Sequence, residues 1–115
     1  MKEIEKIVFS MAEKSFNPYE TINLMSIREK AFNFLNLEKN IICFTDDNND
    51  NIGISITLNN PFYHNQVILT LNENMLFNIY FVGLTKNKKI IRNVRSHLLT
   101  LSIREHIINS SINKN

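Results

Sequence analysis

The sequence predicts an α+β fold: two N-terminal helices, a four-stranded antiparallel meander, and a long C-terminal helix packed on the sheet. Three observations predict it. Residues 51–84 alternate apolar and polar side chains with period two in three segments, as a half-buried antiparallel sheet does. The stretches on either side repeat their apolar residues at helical spacing. The order helix, helix, four strands, helix then leaves the helices to cover the apolar face of the sheet, mainly on one side. With 115 residues, the chain reads as one domain over 1–115 with a single modest core.

The first helix is expected over 2–14, where Ile4, Ile7, Val8, Met11 and Ala12 share a stripe. Asn17-Pro18-Tyr19-Glu20 starts the second, with Asn17 as N-cap, Pro18 in the first turn and Glu20 placed to reach back. That helix should run to about Asn36. Its apolar residues Leu24, Ile27, Ala31, Phe32, Phe34 and Leu35 cover a stripe wide enough for burial on two sides.

Ile41 to Thr45 reads as the first strand, with Cys43 a small apolar residue in its interior. Turn formers fill 46–51. The second strand presents Ile52, Ile54, Ile56 and Leu58 on one face, and the third presents Val67, Leu69 and Leu71. The fourth has Phe77, Ile79 and Phe81 on one side and Leu76, Tyr80 and Val82 on the other, which suits a central strand or a face that meets a partner. After a lysine-rich loop at 83–89, the last helix is expected from about Lys88 to Ile108. On a 3.6-residue wheel Ile90, Ile91, Val94, Leu98, Leu101 and Ile108 should face the sheet. Leu99, Ile103 and Ile107 then form a second apolar line on the opposite side.

The 43% hydrophobic and 21% charged fractions are those of an ordinary globular protein, and a net charge of +2 gives no strong pull toward nucleic acid. Asparagine takes 19 of 115 positions, an excess that with Ile, Lys and Phe points to an AT-rich genome, that of a bacterium, phage or mobile element. Cys43 is the only cysteine, so no intramolecular disulfide forms. The first residues mix acids and lysines and lack the unbroken apolar run of a secretory signal. The most apolar stretch, Met75 to Val82, is interrupted by Asn78 and too short to span a bilayer. A soluble, cytoplasmic protein without membrane contact is expected.

No cofactor or metal is implied, and the chain is not expected to be an enzyme. Asp46, Asn48 and Asp50 alternate like the start of a calcium loop. Its glycine and bidentate glutamate are replaced by Asn51 and Thr57, so a polar hairpin turn is the better reading. His97 and His106 lie nine residues apart on the expected last helix and cannot chelate together, while His64 falls in a loop. No serine sits in a Gly-x-Ser-x-Gly elbow, and Gly53 and Gly83 alone cannot build a phosphate cradle.

What remains is a surface. The line of Leu99, Ile103 and Ile107 either covers additional core or is exposed in the monomer and buried in a complex, with an isologous homodimer the simplest closed assembly. On the second reading Arg92 and Arg95 form its polar rim and favour an acidic protein partner. The expected function is a non-enzymatic protein-binding module of the chaperone, adaptor, inhibitor or immunity kind, which masks or escorts its partner. The alternative is a small nucleic-acid-binding regulator using Lys88, Lys89, Arg92 and Arg95 at the basic start of the last helix.

Overall fold

Among the described residues five antiparallel strands, one more than the periodicity predicts, form the centre of the fold. The computed structural model describes residues 2–27, 41–57, 66–82 and 89–112. In chain order these hold α1 (Lys2–Met11), α2 (Pro18–Ile27), β1 (Ile41–Thr45), β2 (Asn51–Thr57), β3 (Gln66–Leu71), β4 (Phe77–Val82), β5 (Lys89–Val94), a 3₁₀ turn (Ser96–Leu98) and α3 (Leu99–Ile112). The strands lie in the order β1-β2-β3-β4-β5, an uninterrupted antiparallel meander. The expected extension of the second helix to Asn36, Leu58 of the second strand, the His64 loop and the 83–88 loop lie outside the described residues.

Each face of the sheet has its own core. On one, Ile54 and Ile56 of β2, Val67, Leu69 and Leu71 of β3, and Phe77, Ile79 and Phe81 of β4 pack against Met25 of α2 and Leu99 and Ile103 of α3. On the other, Ile4 and Val8 of α1 pack on Phe44, Ile52 and Ile68, flanked by half-buried Tyr80 and Val82. The helices thus lie on both sides of the sheet rather than mainly on one. The link from α1 to α2 carries the chain around the sheet's end. The N–H groups of Glu13 and Lys14 donate to the Leu71 carbonyl at 3.1 and 3.0 Å, and that of Phe16 donates to the Asn51 carbonyl at 3.0 Å. The Phe16 ring then meets Phe77 edge-on at 5.2 Å, on the far side.

Ile52 departs from its expected face because β2 carries one extra residue. Phe44 pairs with Gly53 and Thr45 with Asn51, so Ile52 falls in a bulge and turns toward α1, away from Ile54 and Ile56.

The hairpins β1–β2 and β3–β4 are built alike. In the first, the Asp46 carboxylate accepts the N–H groups of Asn48 and Asp50 at 2.9 and 3.0 Å. In the second, the Asn72 side-chain oxygen accepts those of Asn74 and Leu76 at 2.9 and 3.1 Å. Three residues after each acceptor the backbone is left-handed, at Asn49 (φ 64°) and Met75 (φ 62°). The Asp46 carboxylate therefore closes a turn, as a polar hairpin reading requires.

Candidate functional site

The expected binding surface is rearranged by one change of element. Residues Lys89 to Val94, assigned by periodicity to the last helix, form β5, and α3 begins only at Leu99. A strand and a helix share no common wheel, so the faces assigned to that stretch do not carry over. Leu99 and Ile103 are 0% exposed and belong to the sheet's core, whereas Leu98 and Leu101, expected to be buried, are exposed. Of the two readings of that apolar line, the fold realises the one in which it covers core. The backbone of Ile107 continues α3; its side chain lies outside the described ones.

The basic residues move as well. Lys88 lies outside the described residues. Lys89 and Arg92 are exposed on β5, and Arg95 precedes the 3₁₀ turn in extended conformation (φ −71°, ψ 147°). They do not share a helix face. Lys89 is in register with Phe81 and Ile91 with Ile79, on the side of α2 and α3. Ile90 is in register with Tyr80, on the side of α1. Strand alternation then puts Arg92 with Ile90, opposite Lys89. What the three cations share is an edge. β5 ends the strand order, and no strand among the described residues pairs with its outer side.

Local chemistry holds β5 in place. Val94 pairs with Phe77 and Ile91 with Ile79, so Arg92 and Asn93 together oppose Asn78, a bulge. At Asn93 the backbone is left-handed (φ 61°), a conformation asparagine tolerates better than most residues. Its N–H donates to the side-chain oxygen of Asn78 at 3.2 Å, and its own side-chain oxygen accepts from Nδ2 of Asn72 at 2.8 Å. Asn72 and Asn78 are buried, so these bonds form where water does not compete. Nothing in the sequence joins the three asparagines, because they lie up to 21 residues apart and follow no motif.

No ion pair among the described residues involves Lys89, Arg92 or Arg95. Neither β4 (FNIYFV) nor β5 (KIIRNV) carries an acid. Ile90 is 37% exposed beside half-buried Tyr80 and Val82, which gives the edge an apolar shoulder on the α1 side.

The remaining candidates are more weakly placed. The His106 ring lies over Phe81 with centroids 3.9 Å apart. Burial, and then the nearby Lys89 ammonium, hold its imidazole below the ordinary value of 6.5. His97 is exposed in the 3₁₀ turn. Cys43 is exposed on edge strand β1 instead of filling a strand interior, and partial burial still pushes its thiol above the ordinary value. It lines an open depression of about 580 Å³ together with Ser15, Tyr19, Asn49 and Asp50. The N-terminus of α2 beside it is already occupied: Oδ1 of Asn17 accepts the N–H groups of Tyr19 and Glu20 at 2.9 and 3.3 Å. Among the described residues no group of three or more His, Cys, Asp or Glu side chains is arranged to hold a metal ion, and no helix is long and apolar enough to cross a membrane. No protein-family model, curated protein or solved structure matches this chain.

Proposed function

We propose that this chain is a small, non-enzymatic protein-binding module that acts by masking or escorting a partner protein. The observation that carries the reading is the outer edge of β5. Exposed Lys89, Ile90 and Arg92 flank a row of backbone groups without a neighbouring strand among the described residues, and Arg95 follows the strand's end. An open edge is a template for another chain. Leu99 and Ile103 are spent on the core, so a homodimer through them has no free stripe to use.

The same cations motivate the nucleic-acid alternative, but their arrangement serves it poorly. Lys89 and Arg92 point to opposite faces of the sheet, and a phosphate backbone is tracked by cations that share one. The test is photocrosslinking in extract of the source cells, with the crosslinker at Ile90 and a control at Met75, which is exposed on the β3–β4 turn. A discrete protein adduct from Ile90 that is missing from Met75 supports the reading. Adducts of equal pattern from both positions, or a nucleic-acid adduct from Ile90, refute it.

A further inference from the structure

We infer that the β5 edge takes an extended acidic segment of the partner as a sixth strand, a mode of recognition that rests on the protein-binding reading above. The outer edge of an antiparallel strand presents alternate N–H and C=O groups that a further strand can satisfy. Backbone bonds of this kind give affinity to any extended chain. The choice among chains falls to the side chains along the edge.

Those side chains carry a pattern. Lys89, Arg92 and Arg95 recur every third residue, the first two within the regular part of β5 and the third beyond the Arg92–Asn93 bulge. Lys89 flanks the edge on the α2 and α3 side, Arg92 on the α1 side. A strand laid along β5 alternates its own side chains between the same two sides. Two acids three residues apart on that strand would therefore meet Lys89 on one side and Arg92 on the other, and apolar residues between them would rest beside Ile90 and Tyr80. No acid of β4 or β5 competes for these cations.

The same charges exclude a second copy from the site. Antiparallel pairing of β5 with another β5 would set three cations against three cations, and like charges across a strand pair are destabilising. Cations on an edge are a common protection against self-pairing. Here the protection also selects, because it admits a segment of opposite charge.

The test uses a fluorescein-labelled seven-residue peptide with acids at positions one and four and valine or threonine elsewhere, titrated with the full chain up to about 1 mM. Three comparisons accompany it: the same peptide with lysine for each acid, a version N-methylated at alternate amides, and a single-stranded oligothymidylate. The expected result is saturable binding of the acidic peptide only, weakening with added salt. Lys89→Glu with Arg92→Glu should reduce it by about tenfold or more while leaving the urea midpoint unchanged, since both side chains are exposed. N-methylation should weaken it comparably if backbone bonds are made, and the backbone amides of β5 should gain exchange protection in the complex. Binding that ignores the charge reversal, or N-methylation without effect, overturns the inference, as does oligothymidylate binding lost in the same variant. If the acidic peptide does not bind while Ile90 crosslinks a partner protein, strand addition is wrong and the protein-binding reading stands. If both fail, both fall.

Discussion

Gly53 tests the placement of α1. A Cβ built on this glycine would lie 2.6 Å from Cγ1 and 3.2 Å from Cγ2 of Val8, with the Leu69 carbonyl at 3.5 Å. The glycine φ is not positive, so the backbone accepts any residue and the requirement is one of space alone. Without a helix overhead, Gly53→Ala should stabilise by about 0.4–1 kcal/mol through the unfolded chain. With α1 in place, the new methyl meets a valine that is wholly buried and stiff about χ1. Relief then requires α1 to lift by close to an ångström, an overpacking that costs about 1–3 kcal/mol. The net expectation is a loss of about 1–2 kcal/mol, a fall in urea midpoint on the order of 1 M for a domain of this size. The partner change, Val8→Ala, opens the space that Gly53→Ala would fill. The double variant should therefore be more stable than the two separate losses imply, with a coupling of about 1 kcal/mol. Urea unfolding followed by circular dichroism measures all three. A Gly53→Ala chain as stable as the parent, or costs that simply add, would refute the packing of α1 on this face.

Four further outcomes follow from the same structure. Ile103→Asp should abolish folding, because it buries an unpaired carboxylate, at a cost of about 4 kcal/mol or more. Leu101→Asp, at a position 43% exposed, should change stability by under about 0.5 kcal/mol; thermal melts of both variants check the pair. His106 is more readily protonated unfolded than folded, so stability should be full above about pH 6.5 and fall as the pH drops below it toward the depressed folded value. Urea midpoints between pH 5 and 7.5 should show that slope in the parent and lose it in His106→Phe. Met75→Asn should raise stability by about 0.5–1 kcal/mol by easing the left-handed backbone at a position 63% exposed, and a melting curve reads it directly.

Elements with a single strong signal were legible in the sequence. Asn17 caps α2 as its position before Pro18 implies, and Ile4 and Val8 are the buried part of the stripe read for α1. The alternation of Val67, Leu69 and Leu71 fixed the face of β3 correctly. The last quarter misled because Ile90, Ile91 and Val94 fit both periods: two adjacent isoleucines and a valine three residues on suit a helix stripe as well as a strand. Their β-branching favours the strand, although Asn87 before Lys88 reads equally well as a helix N-cap. Assigning a helix there set the wheel's phase several residues too early, which turned Leu99 and Ile103 outward. The apolar residues opposite the main face, Ile68, Tyr80 and Val82, were visible but were given no helix. Among the described side chains of α2 the buried apolar one is Met25, 1% exposed, whereas Leu24 of the expected stripe is 39% exposed.

The two edges of the sheet differ in what they could pair with. At β1 the exposed residues Ile42 and Cys43 carry no charge, and the acids nearest them, Asp46, Asp47 and Asp50, sit in the turn beyond the strand. A second copy could bring its β1 to β5 without the repulsion that β5 would meet in its own image. That pairing would nonetheless leave Lys89 and Arg92 facing uncharged residues, and Asp46 already accepts two turn N–H groups. It would also join unlike edges, a head-to-tail contact that propagates into an open filament unless its rotation closes a ring. Neither form of self-association satisfies the cations along β5. A strand with acids in its own pairing segment would, and β1, reading IICFT, has none.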